Sequence, residues 1–285
     1  MTYSVGFLGI AGSFSYAAAV SYFKQPKINF IGLDTFEDIF KGIDSNKIKY
    51  GVVPIENSLA GSIYENYDLL DSYNLHIVGE HYIRVRHCLL ACPGAKGQTP
   101  KIDQIKEVYS HQKALEQCAN FFKLYSKIKL VAFDDTAHAA KFVGQQKDPT
   151  KAAIGGEIAA DLYGLSIIKK CLEDDPYNYT RFLIVTKEQK AVDGANKCSM
   201  VTQIPHIPGS LYSVLRILEE NGCNLMKIET RPFRKKMLKG RPFEYIFYVD
   251  FDYDPKKHNV DKIIDALRDK EYRVKLLGLY KESHT

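Results

Sequence analysis

The chain has 285 residues, 45% hydrophobic and 26% charged, which is ordinary globular usage and excludes collagen, coiled coil and wholesale disorder. That length suggests two domains and buries enough apolar surface to fold without covalent staples. The net charge of +5 is unevenly placed: residues 1–196 hold 22 basic and 22 acidic side chains, and residues 197–285 hold 17 and 12.

Residues 1–23 carry no charged side chain before Lys24. They lack the basic start and unbroken apolar centre of a signal peptide, because Gly9, Gly12, Ser13 and Ser15 interrupt the run. The segment reads as a strand (Val5–Ile10), a Gly-rich turn and a helix (Ser13–Phe23). No membrane span is expected, and the expected compartment is cytoplasmic. Asn29–Gly32 and Tyr50–Pro54 are short apolar runs that suit buried strands. Thr35–Lys41 between them has helical spacing, with Thr35 and Asp38 as a capping pair. Residues 62–71 are helical by composition, and Leu75–Cys92 is extended. Glu107–Tyr109 is a strand running into Ser110-His111, followed by an amphipathic helix over Gln112–Tyr125. Leu130–Phe133 with a helix from Thr136, and Ala152–Ile154 with a helix from Glu157, repeat the strand–helix unit. Arg181–Thr186 closes the region. This alternation predicts α/β layers on a mostly parallel sheet.

Residues 187–197 are polar and read as a linker. Beyond them come a strand (Ser199–Pro205), a helix (Ser210–Glu220) stopped by Gly222, two strands (Asn224–Phe233 and Phe243–Tyr253), a helix (Val260–Lys270) capped by Asn259, and a strand (Tyr272–Tyr280). The order is βαββαβ, the ferredoxin-like arrangement. Arg231, Arg234, Lys235, Lys236, Lys239 and Arg241 concentrate the basic excess. A solvated basic loop accounts for them more simply than a nucleic-acid patch, so no nucleic-acid partner is expected. Cys88, Cys92, Cys118, Cys171, Cys198 and Cys223 are scattered without a CxxC, so free buried thiols are expected rather than zinc ligands or disulfides.

Several places carry chemistry. The turn Gly6–Ser15 spaces its glycines GxxGxxG, neither a dinucleotide fingerprint nor a Walker loop. Feeding a helix, it either offers free N–H groups to an anion or is a tight structural bend. Val52-Val53-Pro54-Ile55-Glu56-Asn57-Ser58 ends a buried strand in three polar residues, where open α/β sheets bind ligands. A helix cap is the plain alternative for Asn57 or Ser58. Asn178-Tyr179-Thr180-Arg181-Phe182 opens the last strand of the region. Thr180 and Arg181 suit an anionic substrate, the arginine through its fork of donors, or else serve as a cap and a surface pair. Ser110-His111 and Asp135-Thr136 follow two further strands. His111 is a candidate dyad member, but no Gly-x-Ser-x-Gly elbow and no HExxH is present, which argues against a serine hydrolase and a zinc enzyme.

Together these residues resemble the prephenate dehydratase family with a C-terminal ACT regulatory domain, over residues 4 to about 282. The family's FLGPxGTFS stands as Phe7-Leu8-Gly9-Ile10-Ala11-Gly12-Ser13-Phe14-Ser15, with Ile10 for proline and Ser13 for threonine. GVVPIENS is matched at Gly51–Ser58 with Gly61 following, DLL at Asp68–Leu70, AAI and AAxxYGL at Ala152–Ile154 and Ala159–Leu165, and TRF at Thr180–Phe182. SHPQAL appears as Ser110–Leu115, with Lys113 in place of the usual glutamine. Further on, GALV appears as Gly209-Ser210-Leu211-Tyr212 and ESRP as Glu229-Thr230-Arg231-Pro232, with Asn224-Leu225 just before.

The resemblance implies decarboxylative dehydration of prephenate to phenylpyruvate in L-phenylalanine biosynthesis, with no metal or organic cofactor. It implies an α/β fold in which residues 1–190 form a two-lobed catalytic domain resembling periplasmic binding proteins. One lobe would comprise residues 1–78 and 172–190 and the other 80–170, with the site in the cleft. Residues 197–285 would form the βαββαβ ACT domain. The implied catalytic residues are Thr180 as donor to the departing hydroxyl, Asn57, and Glu56 as a second acid, unless Glu56 is a structural ion-pair partner. Ser13, Ser58, Gly61, Ser110, Thr136, Arg181 and Phe182 would bind substrate, with Arg181 anchoring a carboxylate. L-phenylalanine would bind as effector at Gly209, Ser210, Leu211, Asn224, Leu225, Glu229, Thr230 and Arg231, in a homodimer or homotetramer. Two rivals remain: an arogenate dehydratase, whose substrate differs by an amino group, and a non-catalytic small-molecule sensor with the same fold.

Overall fold

The computed structural model describes residues 3–25, 27–189, 192–232 and 245–283. The chain begins with β1 (Tyr3–Leu8), α1 (Phe14–Tyr22), β2 (Ile28–Leu33), α2 (Phe36–Asp44), β3 (Tyr50–Asn57), β4 (Gly61–Ser62), α3 (Tyr64–Ser72) and β5 (His76–Arg84). It crosses to β6 (Cys88–Ala91), β7 (Glu107–His111), α4 (Gln112–Glu116), α5 (Ala119–Lys123), β8 (Lys129–Phe133), α6 (Thr136–Gln146), β9 (Lys151–Gly155), α7 (Glu157–Tyr163) and β10 (Ser166–Lys169). After a return crossover come β11 (Tyr179–Thr186), β12 (Lys197–Gln203), α8 (Ser210–Glu220), β13 (Leu225–Pro232), β14 (Tyr245–Asp252), α9 (Val260–Arg268) and β15 (Arg273–Tyr280).

Local chemistry sets the helix starts. The hydroxyls of Ser13 and Thr35 and the side chains of Asp135 and Asn259 accept first-turn N–H groups of α1, α2, α6 and α9. The expected helix over Gln112–Tyr125 is broken at Gln117–Cys118. The return crossover intrudes there: Asp174 N donates to Gln117 O at 2.7 Å, and the Asp174 carboxylate accepts from Asn120 N at 3.1 Å.

Three sheets result. The first runs β2-β1-β3-β11-β5 with β4 on β3, the second β10-β6-β9-β7-β8, and the third β13-β14-β12-β15. The expectation of mostly parallel sheet is corrected to mixed. β1 is parallel to β2 and β3, and β7 to β8 and β9, but the returning β11 runs antiparallel to β3 and β5. The crossover lies at residues 85–87, because β5 belongs to the first sheet; the expected lobe boundary near residue 79 moves accordingly. Among the described residues, no helix is long and apolar enough to cross a membrane.

The third unit is βαββαβ with both helices on one face, around Met200, Val214, Leu218, Phe251, Ile263 and Leu267. Its other face is not solvent-exposed. Val201, Ile246, Tyr248, Leu277 and Tyr280 join the core formed by Ile39, Phe40, Leu70 and Leu75 of the first unit. The polar linker ends sooner than expected, since Lys197 is already the buried first residue of β12. Sheet contact is closest at Gly278, where an added Cβ would lie 2.0 Å from the Ile77 carbonyl oxygen. Gly278→Ala is expected to push β15 off β5 and to cost about 1–3 kcal/mol, read as a lowered urea midpoint.

Five cysteines are buried and free, as expected, but Cys171 is exposed. It lies just past β10 with a left-handed φ of 57°. The basic cluster is also revised. Arg231 pairs through two nitrogens with Asp68, at 3.1 and 3.0 Å, while Arg234, Lys235, Lys236, Lys239 and Arg241 lie outside the described residues.

Candidate active site

The parallel strands of the first sheet end at Leu8, Leu33 and Asn57, and β11 begins at that same edge. The parallel strands of the second sheet end at His111, Phe133 and Gly155, with Cys88 of β6 beside Gly155. Both crossovers join these two edges, so the edges face one another across a cleft. Such edges, where strand carbonyl ends and helix N-termini meet, are where α/β sheets place ligands.

Asn57 and Thr180 are paired across β3 and β11. Asn57 Oδ1 accepts the N–H groups of Leu59 and Ala60 at 3.0 and 2.8 Å, which fixes the orientation of the amide. Its Nδ2 then donates to Thr180 Oγ1 at 3.0 Å, and to Asn178 Oδ1 and Tyr179 O at 2.7 and 3.1 Å. A hydroxyl that accepts this bond keeps its own proton to donate. No group among the described residues receives that proton.

The turn after β1 reaches across the cleft. Tyr163 of α7 donates its hydroxyl proton to Ala11 O. Gly12 adopts a left-handed φ of 94°, and an added Cβ would be tight, at 3.1 Å from the Tyr163 ring and 3.3 Å from Ala159. The Phe14 ring stands edge-on to His87 at 5.7 Å. His87 is buried, shares a 2.9 Å hydrogen bond between Nε2 and Gln117 Oε1, and leaves Nδ1 without a partner among the described residues. Burial pushes its pKa down, so the ring is neutral. Phe14, His87 and Gln117 form a contact chain at the first crossover that sequence reasoning missed; a histidine in an extended run carries no signal by itself.

The other expected site residues divide. Ser13 spends its hydroxyl on the cap, accepting from Tyr16 N at 3.1 Å and donating to Leu8 O at 3.3 Å. The Phe14 and Ser15 N–H groups at the α1 N-terminus remain unpartnered among the described residues. Gly61 closes the β3–β4 hairpin, and Thr136 opens α6 at the cleft edge. Ser58 clamps the crossover instead of facing substrate: its Oγ donates to Tyr177 O at 2.7 Å and accepts from Tyr179 N at 2.9 Å. Ser110 is fully buried, with its hydroxyl on Ile154 O at 2.8 Å, and Phe182 is core, packed with Phe7, Ala18 and Val52. Both side chains are buried away from the cleft surface.

Arg181 and Glu56 are reassigned. Successive strand side chains point to opposite faces, so Arg181 turns away from Thr180 toward the third sheet. Its guanidinium donates to Glu80 Oε2 at 2.7 Å, Asp250 Oδ2 at 2.8 Å, Glu56 Oε1 at 3.1 Å and Tyr280 Oη at 3.1 Å. With 4% of its side chain exposed it anchors no substrate carboxylate. Burial disfavours its charge, but Asp250, Tyr280 and Glu80 more than offset this, and its pKa rises. Glu56 meets Arg181 and Lys227. Burial raises its pKa, but the hydrogen bond and charge of Lys227 and the charge of Arg181 outweigh burial and hold it below the ordinary carboxylate value. It is an ionised structural partner and not an acid. A depressed folded pKa gives stability that is present above the unfolded value and lost as pH falls through the folded one. The urea midpoints of wild type and Glu56→Gln should therefore differ at neutral pH and converge on acidification.

A model of the family Prephenate dehydratase matches residues 5–190. The chain belongs to the prephenate dehydratase family. An arogenate dehydratase/prephenate dehydratase 2, chloroplastic, of Arabidopsis thaliana is 38% identical over 285 residues, covering 97% of this chain and 72% of that protein. A prephenate dehydratase from Arthrobacter aurescens, solved in complex with L-Phe, superposes with a TM-score of 0.83 at 25% identity, covering 98% of this chain and 89% of that one. GqqA, named a novel type of quorum quenching acylase, also superposes with a TM-score of 0.83, at 27% identity and 98% coverage of both chains.

In this dehydratase-family chain the expected effector residues fall into two groups. Gly209 precedes α8, Ser210 is buried with an unpartnered Oγ, and Leu211 packs on the helix-side core. Asn224 and Leu225 lie at the opposite end of α8, whose 11 residues span about 16 Å. β13 presents Thr230 and Ile228 on the helix side, both exposed. Glu229 and Arg231 alternate to the other face and contact Ser62 and Asp68 of the first unit. Among the described residues, Cys223, Asp252 and His258 form the one group with metal-ligand potential. Asp254 N donates to His258 Nδ1 at 3.1 Å, which places the ring proton on Nε2, so neither nitrogen offers a lone pair to a metal.

Proposed function

We propose that the cleft converts prephenate to phenylpyruvate, water and carbon dioxide, with residues 1–190 as catalytic domain and 197–285 as ACT regulatory domain. The ring C–O bond breaks and its oxygen leaves as water after gaining a proton. The ring carboxylate leaves as carbon dioxide, and the electrons of that C–C bond complete the aromatic ring. One observation carries this reading: the Thr180 hydroxyl, held by Asn57 at 3.0 Å, has a proton to offer at the cleft edge. Thr180 donates a hydrogen bond to the departing oxygen and relays to it a proton that solvent supplies, so that the hydroxyl is restored as the water leaves. The free N–H groups and positive end of α1 hold a substrate carboxylate, the role that Arg181 cannot fill. Seating of the Gly12 turn on α7 excludes water from the reacting groups.

L-phenylalanine binds at the ACT unit as inhibitor. The Arthrobacter aurescens relative was solved with L-Phe, which supports the ligand class. Gly209 and Asn224 are too far apart for one pocket within one chain, so the effector site forms between two antiparallel copies in a homodimer. The test is turnover of prephenate and arogenate by the full-length protein, following phenylpyruvate and phenylalanine respectively, with and without added L-phenylalanine. Phenylpyruvate from prephenate supports the reading, turnover of arogenate alone assigns the amino substrate, and no turnover of either leaves a sensor.

A further inference from the structure

We propose that β13 positions the reaction centre, with Lys227 and Glu229 acting as positioning residues for Asn57 and Thr180 through the β3–β4 hairpin; this rests on the reading of the cleft given above. The hairpin is a short element. β4 is two residues long, and Ser58, Leu59, Ala60 and Gly61 at its tip are exposed. Yet it carries Asn57, whose amide holds both the tip and Thr180.

Glu56 pairs with Ser62 across the hairpin, immediately beside Asn57 and Gly61, so their side chains share a face. That face meets β13. Lys227 Nζ donates to Glu56 Oε2, and Ser62 Oγ donates to Glu229 Oε2. One step further along the strand, Arg231 pairs with Asp68 and stacks over the Tyr64 ring at 4.5 Å, fixing the start of α3. Three alternate residues of one strand thus hold the hairpin and the helix that follows it. β13 is an edge strand with β14 as its neighbour, and its opposite face shows Met226 and Ile228 at the surface. A shift of β13 therefore reaches Thr180 through two side-chain contacts and one amide, without passing through the core.

The test uses full-length Ser62→Ala, Glu229→Gln and the double variant. Each single change should lower kcat about ten- to a hundredfold with KM within about twofold, because it displaces the donor and not the substrate site. The double variant should be no slower than either single one, and Ser62→Thr, which keeps the hydroxyl, should restore kcat. A merely structural contact would give additive losses of stability without this pattern. Amide hydrogen exchange at Leu59 and Ala60, read without turnover, should speed up in both single variants. Unchanged exchange there, or wild-type kcat in both variants of an active enzyme, overturns the proposal. Faster exchange in the variants, together with a folded wild type that turns over neither substrate, overturns the cleft reading alone. Ser62→Ala removes one hydroxyl and supplies the answer should Glu229→Gln not fold.

Discussion

Thr180→Val is expected to lower kcat about a hundred- to ten-thousandfold while leaving KM within a few-fold. Valine matches threonine in shape and removes the hydroxyl that Asn57 holds at 3.0 Å. Half-buried on a strand paired on both sides, residue 180 tolerates the change without moving. The loss falls on the departure of the ring oxygen, a contact that strengthens as charge develops there, and so appears in kcat. The proposed carboxylate site at the α1 N-terminus is not altered by the change. Steady-state kinetics with a melting curve as folding control decide the matter; wild-type kcat in a folded variant removes Thr180 from the chemistry.

Arg181→Met is expected to destabilise the fold by about 3–5 kcal/mol. It leaves the buried carboxylates Glu80 and Asp250 without the guanidinium that spans them, and Lys197, 3.2 Å from Glu80, compensates only that side. Arg181→Lys retains the charge but not a fork that reaches Glu80, Glu56, Asp250 and Tyr280 together, so it too is destabilised, by less. Chemical unfolding measures both. In the folded fraction KM should be unchanged, since the side chain does not face the cleft. A raised KM with wild-type stability would return Arg181 to the substrate.

Much of the architecture was legible because short apolar runs and capped amphipathic helices report local structure. Thr35 before α2 and Asn259 before α9 cap where expected, and the βαββαβ order of the last unit follows from spacing alone. What sequence reading missed was nonlocal. The break at Gln117–Cys118 is made by Asp174, far along the chain, and the antiparallel return of β11 depends on the crossover route. The differences between the expected and the observed placement of site residues share one cause. Thr180 and Arg181, Glu56 and Asn57, and Glu229 and Thr230 are consecutive on strands, and motif reading gave each pair one destination. The two-residue period of a strand sends them to opposite faces: Thr180 and Asn57 to the cleft, Arg181, Glu56 and Glu229 to the join with the third sheet. Ser110 and Phe182 were misplaced similarly, since proximity to a strand end does not specify burial.

The central claim is that the cleft of this chain carries out dehydration and decarboxylation through Thr180. It is tested most directly by incubating purified full-length protein with prephenate and measuring phenylpyruvate by its absorbance in alkali, wild type beside Thr180→Val. The account predicts phenylpyruvate from the wild type and a rate at least about a hundredfold lower from the folded variant. Equal rates from the two proteins, or no phenylpyruvate from a folded wild type, would contradict it.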